Sequence, residues 1–245
     1  MSAAKFIVIV PARYASSRFP GKALADIGGR PMVVRVCEQA KKSGAAVHVA
    51  TDDKRIARVV RQAGYSAIMT RDDHSSGTDR IAEAAGILGL KTSEIVVNVQ
   101  GDEPLISPGL IKKVARALEK SAKAGMSTAC HEIHDAESLV NPNVVKVVMD
   151  ADGYALYFSR SQIPYPRASG NKSYRHAGIY AYRVGFLKKF TKLEPSPLER
   201  SEALEQLRAL WHGYRIAVIV DEGRPEQSVD TPQDLILAMR EFTQK

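Results

Sequence analysis

Three basic residues lie within ten positions of one loop near the start of the chain. Arg13, Arg18 and Lys22 follow an apolar run and precede a stretch with helical spacing. Backbone N–H groups and cationic side chains in such a loop can surround a phosphate group. The glycine, proline and serine residues among them favour a fixed loop. The spacing therefore predicts phosphate binding, with a solvated surface loop as the alternative.

The end of this loop, Gly21-Lys22, is similar to the end of a Walker A motif. Two other positions exclude that motif. Ser16 stands where its first glycine is required, and Ala23 stands where it needs a magnesium-binding serine or threonine. We therefore expect a phosphate site of another kind.

Two aspartates follow strand-like segments. Asp102 comes just after residues 95–99, and Asp230 follows residues 216–220 through a short loop. Beside a phosphate-binding loop they predict a Mg²⁺ site, because Mg²⁺ binds one or two carboxylates together with phosphate oxygens. Asp102 could instead cap a turn, and Asp230 could face the positive end of the last helix.

The segments that must position these residues alternate between two patterns. Short β-branched runs predict buried strands, and apolar residues at helical spacing predict helices between them. The expected strands are 6–10, 47–50, 67–69 and 95–99, and the expected helices are 31–43, 55–63 and 78–88. This order predicts an α/β fold with a mainly parallel central sheet and helices on both faces. Such sheets bind ligands beyond the carboxyl ends of their strands.

The second half of the chain contains two marked helix starts and a β-rich stretch. Ser107-Pro108 and Thr231-Pro232 each place a hydroxyl N-cap before a proline at the first helical position. Residues 144–185 favour strands, at 144–149, 155–158 and 177–182, with an exposed loop at 164–173. Because no linker flanks this stretch, we expect one domain over residues 1–245 with a β-rich elaboration.

Composition narrows the class of protein. The 245 residues are 44% hydrophobic and 25% charged, which is typical of a globular protein with a sizeable core. The net charge of +8 favours an anionic partner such as nucleic acid, acidic lipid or a nucleotide. A nucleic-acid-binding module is disfavoured, because no recognition helix, zinc site or aromatic stacking platform is visible.

Cysteine content and the first apolar run bear on location. The two cysteines, Cys37 and Cys130, provide neither a disulfide framework nor a zinc-ligand spacing, so a reducing cytoplasm is expected. The apolar run at 6–10 is too short for a signal peptide or a membrane span. We therefore expect no targeting segment and no membrane partner.

Six segments taken together resemble the 3-deoxy-manno-octulosonate (KDO) cytidylyltransferase family, the CMP-KDO synthetases. They are PARYASSRFPGK at 11–22, NVQGDEP at 98–104, YFSR at 157–160, HAGIY at 176–180, LEQLR at 204–208 and VDTP at 229–232. Each segment alone is weak evidence, but six in this order are specific and extend over nearly the whole chain.

The resemblance implies a fold, a reaction and a pathway. The fold is a Rossmann-like nucleotidyltransferase that forms a homodimer through a β-rich arm. The reaction is the Mg²⁺-dependent transfer of a cytidylyl group from CTP to the anomeric hydroxyl of KDO, with release of pyrophosphate. The product serves lipopolysaccharide or capsule biosynthesis.

The resemblance also implies roles for single residues. Those around the nucleotide and the metal ion are Arg13, Arg18 and Lys22 on the triphosphate with Ser16 beside them, Gln100 on the cytosine, and Asp102 and Asp230 on Mg²⁺. Those around the sugar acid are Arg160, His176, Tyr180, Glu205 and Gln206.

Simpler interpretations of the sugar-acid residues stay open. Tyr180 could be a core residue, His176 a buried imidazole with its hydrogen bonds satisfied, and Glu205 with Gln206 an exposed helical turn. Amino-KDO and sialate are the alternative substrates. Sialate is disfavoured, because related enzymes usually have Gly-Ser-Lys-Gly where this chain has Ala-Ser-Ser-Arg at 15–18. The loop at 164–173 is also shorter than the insertion that some family members carry there.

Overall fold

The computed structural model describes residues 6–15, 19–167, 170, 172–225 and 227–243. Strands and helices alternate through the first half of the chain. They are β1 (Phe6–Ala12), α1 (Met32–Lys41), β2 (Ala46–Thr51), α2 (Lys54–Gln62), β3 (Ser66–Met69), α3 (Gly77–Ile87) and β4 (Ile95–Asn98). Each agrees with its predicted element to within about two residues at either end, a margin usual for helix and strand boundaries.

The second half contains more elements than the sequence pattern predicts. The helices and strands of this half are α4 (Pro108–Lys120), β5 (Ala124–Glu132), α5 (Ala136–Val140), β6 (Lys146–Met149), β7 (Ala155–Ser159), β8 (Tyr174–Arg183), α6 (Val184–Phe190), α7 (Pro197–Glu202), α8 (Leu207–Trp211), β9 (Arg215–Val220) and α9 (Pro232–Thr243). Strand β5 was not predicted because its sequence, AGMSTACHE, has no β-branched run. Helices α5 to α8 are too short to show a helical period.

The strands form one sheet in the order β3-β2-β1-β4-β8-β5-β9. All neighbouring pairs along this path are parallel except those of β8, which runs antiparallel to both β4 and β5. The β6–β7 hairpin pairs with the first residues of β8. The prediction of a mainly parallel sheet is therefore confirmed, with β8 as the exception.

Apolar residues cover both faces of the central strands. Val8 and Val10 face a cluster with α1 and α4, whereas Ile9 faces a second cluster with α3 and α6. This burial on both faces is typical of parallel strands between two layers of helices. In the described part of the chain, no helix is long and apolar enough to cross a lipid bilayer.

The marked helix starts are confirmed by their side chains. The Ser107 hydroxyl accepts a hydrogen bond from the Leu110 N–H at the start of α4. At the start of α9, Thr231 and Asp234 form reciprocal hydrogen bonds between side chain and backbone. These contacts satisfy N–H groups that the first turn of a helix leaves without an intrahelical partner.

Gly125 in β5 provides a test of the packing between β5 and α6. A Cβ atom at this position would lie 2.3 Å from the Phe186 ring. We expect Gly125→Ala to lower the free energy of unfolding by about 1–3 kcal/mol through overpacking, measured by urea denaturation. Gly86→Ala in α3 is the matched control, since no atom outside its own helix lies within 4 Å of its Cβ position. The control should gain about 0.5–1 kcal/mol of helix stability, and equal effects of the two changes would contradict this packing.

Candidate functional site

The loops after β1 and β4 lie side by side at the carboxyl edge of the sheet. The two strands are parallel neighbours, with Ile9 opposite Asn98. Gly101 allows the loops to touch, because a Cβ atom there would lie 2.8 Å from the carbonyl oxygen of Pro11. Asp102 is thereby brought to the basic loop, as the sequence predicted for neighbouring strands.

Lys22 lies at the centre of this arrangement. Gly21 adopts a left-handed conformation, with φ of 72°, and starts the short 3-10 helix Lys22–Leu24. The Lys22 Nζ atom donates to Asp102 Oδ2 at 2.5 Å, to Asp230 Oδ1 at 3.1 Å and to the carbonyl oxygen of Val229 at 3.3 Å. These three acceptors match the three N–H bonds of an ammonium group. One cation thus joins both predicted metal ligands.

Asp230 reaches the Lys22 ammonium from the far side of the sheet. Strand β9 is an edge strand three positions from β4, a distance of about 14 Å at the usual strand spacing. The chain leaves β9 at Asp221, whose buried carboxylate accepts from Lys113 Nζ at 2.5 Å. It then returns to β4, where the Val229 N–H donates to the Asp102 carbonyl oxygen at 2.8 Å. The loop before α9 therefore carries Asp230 to Asp102.

Lys22, Asp102 and Asp230 line one cleft of about 300 Å³. The cleft brings together five of the predicted nucleotide and metal residues, namely Arg13, Lys22, Gln100, Asp102 and Asp230. Ser16 and Arg18, on the same loop, lie outside the described residues. These five residues therefore lie together in the structure, and the roles assigned to them stay predictions.

Sequence reasoning missed one wall of the cleft, at residues 74–77. Gly77 is the first residue of α3, and Ser76 forms a capping box with Asp79. The positive end of the helix dipole therefore faces the cleft, an arrangement that favours anions. The signal for it was present in the sequence, because Ser-Ser-Gly-Thr follows the third predicted parallel strand at the same edge of the sheet.

Arg80 is a second residue that the sequence pattern did not mark. It lines the cleft although it is only 3% exposed. Its guanidinium donates to Asp52 Oδ2 at 2.8 Å and to Thr70 Oγ1 at 2.6 Å. Asp52 thus holds Arg80 in place. Its neighbour Asp53 caps α2, as expected for an aspartate at a helix start.

His176 and Tyr180 lie farther along the same edge of the sheet, on β8. Their ring centroids are 5.3 Å apart, and His176 also makes an edge contact with Phe158. The His176 Nε2 atom lies 2.9 Å from the hydroxyl oxygen of Thr128. Burial lowers the pKa of His176 to about 3, so this imidazole is neutral near pH 7. His176 lines a separate depression of about 200 Å³ that also includes Glu103.

Glu205 and Gln206 do not form an exposed helical turn, so that interpretation is wrong. Gln206 is 6% exposed, and α8 begins only at the residue after it. Glu205 Oε2 accepts a hydrogen bond of 2.6 Å from Thr78, in the first turn of α3. Burial raises the pKa of Glu205, and the hydrogen bond from Thr78 offsets part of that rise. Glu205 therefore lies directly behind the helix end that faces the cleft.

Arg160 is not among the residues that line the cleft. Its guanidinium donates to the backbone carbonyl oxygens of Glu202, Pro142 and Ala203, at 2.6, 3.0 and 3.4 Å. Its own carbonyl oxygen accepts from the fully buried ammonium of Lys146 at 2.6 Å. In this structure, Arg160 therefore holds the turn that precedes Glu205.

Comparison with known proteins gives a family model and a similar solved structure. The model described as Cytidylyltransferase matches residues 7–216. A CMP:2-keto-3-deoxy-manno-octonic acid synthetase complexed with CTP is 41% identical, with a TM-score of 0.91. That match covers 98% of this chain and 99% of the other.

A more distant structure agrees in fold. A cytidylyltransferase from Leptospira borgpetersenii is 17% identical, with a TM-score of 0.59, and the match covers 94% of this chain and 83% of that chain. At this identity the likeness shows the Rossmann-like nucleotidyltransferase fold alone.

The half-buried carboxylate of Glu205 gives a pH-dependent prediction. Because its pKa is raised, the folded chain binds this proton more tightly than the unfolded chain does. The resulting stability is fully present below the ordinary pKa and is lost as the pH rises through the raised value. We expect Glu205→Gln to be more stable than wild type at pH 8, with the gain disappearing at pH 4, in urea denaturation at both pH values.

A matched control variant distinguishes the effect of burial on stability from the effect of losing one negative charge elsewhere on the chain. Glu137 is exposed in α5, so Glu137→Gln should change stability by no more than about 0.5 kcal/mol at either pH. A Glu205→Gln variant that is less stable than wild type at pH 8 would contradict the raised pKa.

Proposed function

Since this chain belongs to the cytidylyltransferase family, we propose that it transfers the cytidylyl group of CTP to KDO, giving CMP-KDO and pyrophosphate. The observation that carries the proposal is the meeting of Lys22, Asp102 and Asp230 in one cleft. The similarity to a CMP:2-keto-3-deoxy-manno-octonic acid synthetase over 98% of the chain supports the choice of substrates. Lipopolysaccharide or capsule biosynthesis would use this product.

The nucleotide would bind across the loop after β1 and the start of α3. Arg13 and Lys22 line the cleft, and their charges would neutralise the triphosphate together with the N-terminal end of α3. Arg18 and Ser16 are proposed to contribute from the same loop. The side-chain amide of Gln100, at the cleft wall, would contact the cytosine.

The two carboxylates have the chemistry that Mg²⁺ requires. Asp102 and Asp230 both contact a single cationic atom, Lys22 Nζ, so their oxygens converge on one point. In the described residues, no group of three or more His, Cys, Asp or Glu side chains could hold a metal ion. The protein would therefore supply two ligands, and phosphate oxygens with water would supply the rest. Mg²⁺ bound there would stabilise negative charge on the reacting phosphate.

The reaction would be an in-line attack by the anomeric hydroxyl of KDO on the α-phosphorus of CTP. The bond from the α-phosphorus to the oxygen of pyrophosphate would break, the hydroxyl proton would pass to solvent, and negative charge would build up on the phosphate oxygens. Arg13 and Lys22 would stabilise that charge, and the rigid cleft would hold the reacting atoms in line. Positioning and electrostatics are the main sources of rate in phosphoryl transfer.

The sugar acid would lie beyond the cleft, toward β8. The neutral imidazole of His176 and the phenol of Tyr180 would hydrogen-bond to its hydroxyl groups. Glu205 and Gln206 would contact it next to the start of α3. Arg160 would pair with its carboxylate, which requires the guanidinium to exchange the backbone carbonyl oxygens that it now contacts.

We also propose that the chain forms a single domain and a cytoplasmic homodimer. The β6–β7 arm and the segments beside it expose Val140, Leu156 and Tyr165, which are 69%, 60% and 81% exposed. These exposed apolar side chains are proposed to contribute to the contact between the two subunits. Cys37 and Cys130 are free and buried, which fits a reducing compartment.

Pyrophosphate release tests the proposed reaction. Purified protein with CTP, KDO and Mg²⁺ should release pyrophosphate, and omission of any one of the three should abolish the release. Activity without a sugar acid, with another nucleotide, or with sialate or amino-KDO in preference to KDO would contradict the proposal.

Asp102→Asn tests the metal ligand. The change keeps the size of the side chain and removes its charge, so we expect kcat to fall by roughly two to four orders of magnitude, comparable to losing a main electrostatic stabiliser. Asp53→Asn is the matched control, because Asp53 caps α2 outside the cleft and asparagine is an equally good cap. An Asp102→Asn variant that keeps most of its activity at saturating Mg²⁺ would overturn this role.

A further inference from the structure

Lys22 fills the position that the proposed metal ion would take. Its ammonium nitrogen lies 2.5 Å from Asp102 Oδ2 and 3.1 Å from Asp230 Oδ1. A Mg²⁺ ion would bind the same oxygens at about 2.0–2.1 Å. Both cations cannot occupy this point together, because their charges would repel at close range. Metal binding therefore requires Lys22 to move.

The contacts of Lys22 favour its position between the two aspartates. All three of its N–H bonds have acceptors, and its side chain is only 17% exposed. Among the described residues that line the cleft, Asp102 and Asp230 are the acidic ones, whereas Arg13 and Arg80 are basic. Within the described part of the cleft, Lys22 therefore has no carboxylate to move to other than these two.

A nucleoside triphosphate would change this balance. Its phosphates would bring several negative charges beside Lys22 and give the ammonium a second set of acceptors. The four-carbon side chain of lysine is flexible and carries its charge at the tip, so it can exchange partners without a change in the backbone. The carboxylates would then be open to a divalent cation that the phosphates also help to bind.

We propose that Lys22 is an internal counter-ion of the aspartate pair, so that Asp102 and Asp230 take up a divalent cation only together with the nucleotide. This inference rests on the proposed function for the metal and triphosphate positions. It adds an order of assembly. The Lys22 ammonium holds the two carboxylates together and blocks metal binding until the phosphates of the nucleotide attract the ammonium away from the carboxylates.

Binding of Mn²⁺ to protein without nucleotide tests the inference. Free Mn²⁺ would be followed by electron paramagnetic resonance for wild type, Lys22→Met and Lys22→Gln. We expect each variant to bind Mn²⁺ at least about tenfold more tightly than wild type, because the competing cation is gone. Two neutral substitutions keep the test usable if one of them does not fold.

Two control variants test whether the gain in Mn²⁺ affinity arises at Asp102 and Asp230. Lys113→Met removes a lysine that also lies 2.5 Å from an aspartate oxygen, that of Asp221. Asp221 lies outside the cleft and is the one carboxylate with which Lys113 forms an ion pair in the described residues, so Mn²⁺ affinity should stay at the wild-type value. The double variant Lys22→Met with Asp102→Asn should lose the gain in affinity.

Equal Mn²⁺ affinity of wild type and both Lys22 variants would overturn the inference, as would a gain that persists in the double variant. The measurement contains neither CTP nor KDO. Its failure is therefore separate from failure of the proposed reaction, which the pyrophosphate assay reports.

Discussion

The contact of one lysine with two aspartates joins parts of the chain that are far apart in sequence. Asp102 is 80 residues from Lys22, and Asp230 is 208 residues from it. Two carboxylates at one point repel each other unless a cation lies between them. The cleft therefore depends on a positive charge at that point, which the lysine supplies in this structure and which a divalent cation would supply beside a nucleotide.

The fold brings the lysine and the two aspartates together through backbone contacts that depend on few particular side chains. Parallel pairing of β1 with β4 brings the basic loop beside Asp102, and Gly101 lets the two loops touch. The reversed strand β8 extends the same edge of the sheet with aromatic side chains. The chain after β9 then returns along this edge to place Asp230. One edge thus carries both the charged cleft and the residues proposed for the sugar acid.

Much of this arrangement could be predicted from local sequence. The alternation of patterns predicted β1 to β4 with their helices, and hydroxyl caps marked the starts of α4 and α9. Other features depend on distant contacts. Glu205 accepts a hydrogen bond from Thr78, 127 residues away, and Arg160 contacts backbone carbonyl oxygens that no sequence spacing predicts. Strand β5 lacks a β-branched run, and its place in the sheet depends on pairing with β8 and β9, which lie far from it in sequence.

A crystal structure of the protein with CTP and Mn²⁺, with the metal located by its anomalous scattering, tests whether a metal ion replaces Lys22 between the two aspartates. We expect a Mn²⁺ peak within coordinating distance of both Asp102 and Asp230, and the ammonium of Lys22 on the phosphates. A Mn²⁺ ion bound away from the two carboxylates, with Lys22 still between them while CTP is bound, would contradict this replacement.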